Sequence, residues 1–338
     1  MIREAIKILI DGMSLTTEEM QKAMNDIMEG KATDAMIGSF LTALKLQGET
    51  TEEITGAAKA MREKSIKIKA PEGTVDTCGT GGDMAYTFNI STTSAIIVAS
   101  AGIPVAKHGN RSVSSRSGSA NVLDALGINI NLKPESVERC FNQTGFAFLF
   151  SPIFHPAMKY ATGPRSEIGI RTIFNLLGPL TNPAGALRQV VGVYQAVLTE
   201  AIAEVLDNLG ARHAFVVHSD DGLDEISIAE RTRISELKDG RIDTYYITPE
   251  DMDIKRGSLD DIVGGDAQDN AAITLSILNG EQGAKRNIVL MNAAAAIVVG
   301  GKARDFKEGV KIASQAIDSG TAKKKLEEIK LVTNSLAE

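Results

Sequence analysis

Gly79-Thr80-Gly81-Gly82-Asp83 follows the β-branched run Thr74-Val75-Asp76-Thr77-Cys78 and leads, through Thr87-Phe88-Asn89, into Ile90-Ser91-Thr92-Thr93-Ser94-Ala95-Ile96-Ile97-Val98-Ala99. The first run reads as a strand, and the last as a helix with a hydroxyl-rich first turn. Strand, glycine loop and helix are laid out as a phosphate cradle. Residues without Cβ let backbone N–H groups close on an anion. The helix start adds unpaired N–H groups and a partial positive charge, which places Ser91 and Thr92 where phosphate oxygens are welcome. Asp83 repels phosphate unless a cation lies between them, so it either grips sugar hydroxyls or shares in a Mg²⁺ shell. A lone glycine run is also found in turns that bind nothing. The surrounding sequence decides between the two.

Beyond Pro71 strands and helices alternate, the sign of a parallel sheet with crossovers. A strand over 103–106 delivers Lys107-His108-Gly109-Asn110-Arg111-Ser112-Val113-Ser114-Ser115-Arg116-Ser117-Gly118-Ser119, and a helix follows over 120–126. This second loop carries three cations, several hydroxyls and a helix start. In an open α/β sheet ligands gather at the carboxyl ends of strands, so both loops can face one crevice. A turn-rich connector, 151–156, follows 140–150. The spacing then predicts one helix over 165–177, stopped by Gly178-Pro179. Arg165 and Arg171 flank a glycine-rich bend; one of them aims at a carboxylate, or each pairs with a nearby acid. Strands are expected at 189–194 and 213–218, with a helix at 199–209. Ser219-Asp220-Asp221-Gly222-Leu223-Asp224-Glu225 closes the second strand. Its acids are hard oxygen ligands suited to Mg²⁺, or form a solvated acidic turn. A strand meander over 231–248 turns at Lys238-Asp239-Gly240, and the chain is helical from Asp266 onward.

The first 66 residues read as wholly helical. Thr16-Thr17-Glu18-Glu19 and Thr50-Thr51-Glu52-Glu53 open helices in capping-box style, and Thr33-Asp34 start another. Their Met-rich apolar stripe is a bundle core or a dimer face. The formal net charge of −7 argues against a polyanion surface as partner. Aromatics make up 4% of the chain and Trp is absent, which removes base-stacking platforms. Two cysteines, Cys78 and Cys140, form no CxxC pair and point to a reducing cytoplasm. The start of the chain has no signal-peptide core, and the longest apolar run, 288–299, is short for a membrane span. None of the four histidines sits at zinc-motif spacing, and no GxSxG elbow is present.

Taken together, these residues resemble the anthranilate phosphoribosyltransferase family across nearly the whole chain. The resemblance rests on the helical opening (24–30 and 48–57), Asp76-Thr77-Cys78-Gly79-Thr80-Gly81-Gly82-Asp83, Thr87-Phe88-Asn89-Ile90-Ser91-Thr92 and Lys107-His108-Gly109-Asn110-Arg111. It rests most specifically on Arg171-Thr172-Ile173-Phe174-Asn175-Leu176-Leu177-Gly178-Pro179-Leu180 together with Gly222-Leu223-Asp224-Glu225. It implies an α/β protein in which a small all-helical domain is hinged to a large α/β domain with a mostly parallel central sheet. The implied boundaries are 1–70, completed by about 166–182, for the first domain, and 71–165 with 183–338 for the second. A homodimer through the helical domains and a cytoplasmic location are implied too.

The implied reaction moves the phosphoribosyl group of phosphoribosyl pyrophosphate onto the amine of anthranilate, in tryptophan biosynthesis. Phosphoribosyl pyrophosphate would meet Gly79, Gly82, Asp83, Thr87, Asn89, Ser91, Thr92, Lys107 and Ser119. Anthranilate would meet Gly79, His108, Asn110 and Arg165. One Mg²⁺ would sit around Ser91 and Glu225, and a second around Asp224 and Glu225. Ser91, Lys107 and Arg165 would carry catalysis. Two departures are visible: Asn121 stands where aspartate is expected, and Met84 where glycine is common. Related pyrimidine nucleoside phosphorylases share the glycine motif but do not require the acid pair. A noncatalytic nucleic-acid binder on the same scaffold would want a basic groove and a degraded acid pair. No nucleic-acid or membrane partner is expected.

Overall fold

The computed structural model describes residues 1–83, 85–111 and 117–337. Four helices open the chain: α1 (Ile2–Ile10), α2 (Thr17–Met28), α3 (Asp34–Gln47) and α4 (Thr51–Lys64). The capping signals work as written. The Thr16 hydroxyl accepts from the Glu19 N–H while the Glu19 carboxylate accepts from the Thr16 N–H, and Thr50 and Glu53 repeat the arrangement. Thr33 caps α3 by accepting from Met36. Caps of this kind are typically worth about 1 kcal/mol each. The methionine stripe of α2 is core: Met20, Met24 and Ile27 are fully buried, packed on α4.

The alternating part begins with β1 (Val75–Thr77), α5 (Ile90–Ser100), β2 (Val105–Gly109), α6 (Ser119–Ala125), α7 (Pro134–Thr144) and β3 (Phe146–Phe150). It continues through α8 (Ser151–Phe154), α9 (Lys159–Ile168), α10 (Phe174–Leu177), β4 (Arg188–Gly192), α11 (Leu198–Asn208), β5 (His213–Ser219), β6 (Thr232–Lys238) and β7 (Arg241–Ile247). Four helices close it: α12 (Ala267–Leu278), α13 (Ala284–Val299), α14 (Phe306–Asp318) and α15 (Thr321–Ser335).

The strands form one sheet in the order β3-β2-β1-β4-β5-β6-β7, in which β6 alone runs against the others, antiparallel to both β5 and β7. Both residues of the β6–β7 turn, Asp239 and Gly240, have positive φ (49° and 78°), the signature of a type I′ hairpin. From β1 the chain moves first towards β3 and then towards β5. The gap between the ends of β1 and β4 is therefore the topological switch point where such sheets bind ligands.

Side chains alternate between two cores. Val190, Phe215 and Val217 face α5 and α13, while Val191, Ala214 and Val216 face α11 and the helical bundle. α9 packs on α2 and α3, and α10 on α4, so the chain returns to the bundle after β3.

Two expectations need correction, and one strand was not anticipated. The single helix over 165–177 is two, because Gly169 takes the left-handed conformation (φ 67°) that ends α9. Lys107, His108 and Gly109 belong to strand β2 rather than to the loop after it. Residues 140–150 hold the end of α7 and the fully buried strand β3, which the sequence pattern did not signal because its Phe-rich run lacks alternation. Met84 and the stretch 112–116, including Arg116, lie outside the described residues.

Candidate active site

The glycine loop is held across the switch point by backbone pairing that outlasts β1. Cys78 N–H donates to Val190 O (3.2 Å) and Thr80 N–H to Gly192 O (2.8 Å). Gly81 N–H then donates to Asp224 Oδ2 at 2.8 Å. Glycine is required on both sides of this approach. A Cβ on Gly79 would stand 2.6 Å from Asp224 Oδ2, and one on Gly192 would overlap the Asp224 carbonyl. Ser91, at the start of α5, donates its N–H to Glu225 Oε1 at 3.2 Å. Asn89 gives α5 no side-chain cap, so the helix start faces the loop uncapped. Lys107 is 2% exposed. Its ammonium donates to the Thr77 carbonyl and to Ser91 Oγ, the latter at 3.3 Å.

A cavity of about 10 Å³ lies among Thr77, Gly79, Ser91, Asp224 and Glu225. Burial raises the pKa of both acids. Asp83 pushes Asp224 further, and Asp224 pushes Glu225, with Lys107 pulling Glu225 back. Two adjacent half-buried carboxylates that resist ionising together are a place for a hard divalent cation. Among the described residues no set of three or more His, Cys, Asp or Glu is arranged to hold a metal. Such a cation would rest on Asp224, Glu225 and the Ser91 hydroxyl, with ligand oxygens and water completing its shell. That is the usual way Mg²⁺ is held beside phosphates. The donor set fits.

Around this centre the other expected residues take different positions. The Asn89 amide donates to Ser117 O (3.2 Å) and accepts from Asn270 Nδ2 (3.1 Å). Thr87 bridges Val263, and Gly264 comes so close that a Cβ there would meet Phe88 N at 2.6 Å. The strap 262–266 thus fixes the cradle's far wall. Asn270 is 1% exposed, and no spacing rule reveals it across 181 residues. Thr92 is buried, and Asp83 is half-buried with its Oδ1 accepting from Ala85 N–H. Ser119 Oγ donates to the backbone of the exposed Asn110. Asn121 serves as a helix-start acceptor for Gly118 N–H (3.1 Å), the role expected of the aspartate it replaces.

On the other side of Lys107, His108 Nδ1 donates to Gly178 O at 2.8 Å, which leaves Nε2 as a lone-pair acceptor; it is buried without a partner. The ring of His155, which the sequence did not single out, lies tilted against it at 5.0 Å between centroids, and its Nε2 is likewise unpartnered. Burial, with the Lys107 charge beside it, holds His108 at about 4; burial next to His108 holds His155 at about 3. Both rings are neutral near pH 7. Neither Arg165 nor Arg171 forms an ion pair among the described residues. Arg165 lies over the Phe174 ring at 5.0 Å, and burial lowers its pKa. Arg171 lies over the Tyr194 ring at 4.5 Å and donates to the Gly82 carbonyl. No hydrogen bond or ion pair joins Arg165 to His108 or Asn110 among the described residues.

Two family models match end to end: the helical bundle domain of the glycosyl transferase family over residues 3–65 and its a/b domain over residues 71–323. An anthranilate phosphoribosyltransferase of Desulfosudis oleivorans is 55% identical over 99% of both chains. The chain belongs to the anthranilate phosphoribosyltransferase family. The solved anthranilate phosphoribosyltransferase of Thermus thermophilus superposes with a TM-score of 0.93 at 40% identity, covering 98% of this chain and 99% of that one. That of Saccharomyces cerevisiae, in complex with PRPP and Mg, gives 0.91 at 26% identity over 99% and 98%. The yeast enzyme has also been solved with 4-fluoroanthranilate. The anthranilate phosphoribosyltransferase fold, a helical domain beside a large α/β domain with a mostly parallel sheet, is the one described above.

Proposed function

We infer that the chain catalyses the Mg²⁺-dependent transfer of the phosphoribosyl group from phosphoribosyl pyrophosphate to the amine of anthranilate, in tryptophan biosynthesis. The products are N-(5-phosphoribosyl)anthranilate and pyrophosphate. One observation carries this reading: the glycine loop, the start of α5, buried Lys107 and the Asp224–Glu225 pair converge at the switch point. The C1–O bond to pyrophosphate breaks and a C1–N bond forms. The amine nitrogen sheds one proton, which the departing pyrophosphate takes. An arylamine needs no activating triad, so the difficulty lies in the leaving group.

Gly79, Gly82, Asn89, Ser91, Thr92 and Lys107 bind the activated sugar, with Asp83, Thr87 and Ser119 at its margins. Lys107 and the α5 N–H groups stabilise the charge that develops on pyrophosphate. We place two Mg²⁺ ions, one at Ser91 and Glu225 and one at Asp224 and Glu225. The ions neutralise pyrophosphate oxygens as the bond to C1 weakens. Gly79, His108, Asn110 and Arg165 hold anthranilate, and the neutral ring of His108 presents an acceptor to its N–H. The divided architecture brings the two substrates to attack distance.

The purified protein, mixed with anthranilate and phosphoribosyl pyrophosphate, should consume anthranilate fluorescence only when Mg²⁺ is also present. Phosphorolysis of thymidine or uridine in its place would overturn the reading. Arg165→Ala should raise KM for anthranilate with kcat little changed, since its contact is made in ground and transition states alike. A fall in kcat at constant KM would remove Arg165 from that role.

We divide the chain at 1–70 (completed by about 166–182) and 71–165 with 183–338; the two family matches support the break near residue 70, and the packing of α9 and α10 on the bundle supports the return. We also propose a cytoplasmic homodimer joined through the helical domain. Ile10, Met13 and Leu46 are exposed (73%, 54% and 84%), and the Gln47–Ser14 hydrogen bond brings their segments together. Leu46→Asp should shift the protein to a monomer by light scattering. An unchanged mass would place the interface elsewhere.

A further inference from the structure

Residues 178–182 return the chain from the helical bundle to β4, and three successive carbonyls there are bonded by side chains of three different elements. His108 Nδ1 of β2 donates to Gly178 O at 2.8 Å, Gln189 Nε2 of β4 to Pro179 O at 2.7 Å, and Arg62 Nε of α4 to Leu180 O at 2.7 Å. At the end of the strap, Asn182 Nδ2 donates to both Asp76 Oδ2 (2.7 Å) and Ala106 O (2.8 Å). Its Oδ1 accepts from Ala184 N–H at 2.8 Å. The second oxygen of Asp76 accepts from His108 N–H at 3.1 Å. That N–H belongs to the peptide joining Lys107 to His108.

Asp76 is 0% exposed in the middle of the interior strand β1, where a carboxylate is costly. Burial holds it at about 6 even though the Lys107 charge and the bonds from Asn182 and His108 pull it down. A strand core could be filled by an apolar residue. A carboxylate here is explained by what it grips: the peptide between the two site residues, and the strap that holds the ring of one of them.

We propose that Asp76 and Asn182 are positioning residues for the transfer, locking the Lys107–His108 peptide to the strap that returns from the helical bundle. The claim rests on the function proposed above. Lys107 faces the pyrophosphate and His108 faces the amine, so their peptide spans the line along which the nitrogen replaces the leaving oxygen. In-line attack tolerates little misplacement, whereas each substrate binds largely through groups on its own side. Loosening the lock therefore lowers turnover rather than affinity.

The test compares wild type, Asn182→Ala, Asp76→Asn and the exchanged pair Asp76→Asn/Asn182→Asp by kcat, both KM values and melting temperature. Asn182→Ala should lower kcat by about 10–100-fold while each KM stays within about threefold. The exchanged pair keeps one carboxylate and one amide in contact and should recover part of the loss relative to Asp76→Asn alone. A lower melting temperature with wild-type kcat would reduce both residues to a structural role and overturn the proposal. A KM for phosphoribosyl pyrophosphate that climbs in step with the fall in kcat would overturn it as well. The imidazole ¹⁵N resonance of His108 gives a readout independent of turnover. It should move in Asn182→Ala, and an unchanged resonance is decisive against the lock. Inactive wild type would instead reject the transferase reading itself.

Discussion

Lys107→Ala is expected to lower kcat by about 10²–10³, the usual cost of removing one preorganised donor from developing negative charge. The residue is 2% exposed and its ammonium rests on the Thr77 carbonyl and the Ser91 hydroxyl, both at the entrance of the cradle. It is therefore already desolvated and oriented before pyrophosphate arrives, which is where an electrostatic contact is worth most. Lys107 also balances Asp76 and pulls down Glu225, so its loss should lower the melting temperature as well. Turnover must be read well below melting. Lys107→Arg should not restore the rate, because a planar guanidinium is wider than the ammonium and presents a different donor geometry in a closed site. A loss of less than tenfold in Lys107→Ala would move the anion contact to the α5 N–H groups alone.

The parts of this structure legible in the sequence are those in which local chemistry and global fold agree. Thr16, Thr33 and Thr50 announce their helices because a cap acts within three residues. Asp239-Gly240 announces its hairpin because the turn needs two positive φ values. The glycine loop, Ser91, Lys107, Asp224 and Glu225 were readable as chemistry, and the sheet brings them together. What was not legible depends on long-range contact. β3 is buried at a sheet position that its Phe-rich run does not reveal, and Gly169 divides a segment whose periodicity runs on through it. Asn270 shapes the cradle from the C-terminal helices, and His155 faces His108 from the connector. Asp76 was legible only as a letter of the motif. Its bonds to His108 N–H and Asn182 tie that letter to the strap returning from the helical bundle, a contact across 106 residues.

The acid pair should show the opposite signs for stability and activity. Asp224 and Glu225 are raised first by burial and then by neighbouring negative charge: Asp83 acts on Asp224, and Asp224 acts on Glu225. A carboxyl whose folded value lies above its unfolded one, about 4, holds more protons folded than unfolded. Its contribution to metal-free stability is therefore lost as pH rises from the ordinary carboxylate range through the raised folded values. The melting temperature of metal-free protein should fall over that window, and Mg²⁺ with pyrophosphate should restore it. Asp224→Asn and Glu225→Gln keep an oxygen to accept from Gly81 N–H and Ser91 N–H, so the loop contacts survive while the charge is removed. Each variant should flatten the pH dependence. At mildly alkaline pH without metal, each should melt above wild type, because the charge that opposes folding there has been removed. Turnover should fall by about 10²–10³, because the charge that resists burial is the charge that holds the cation against pyrophosphate. Scanning calorimetry across pH, with and without Mg²⁺, checks the first part, and the fluorescence assay the second. Variants that are less stable than wild type at every pH would show that the carboxylates support the fold rather than strain it. Full turnover in either variant would move the metal site away from this pair.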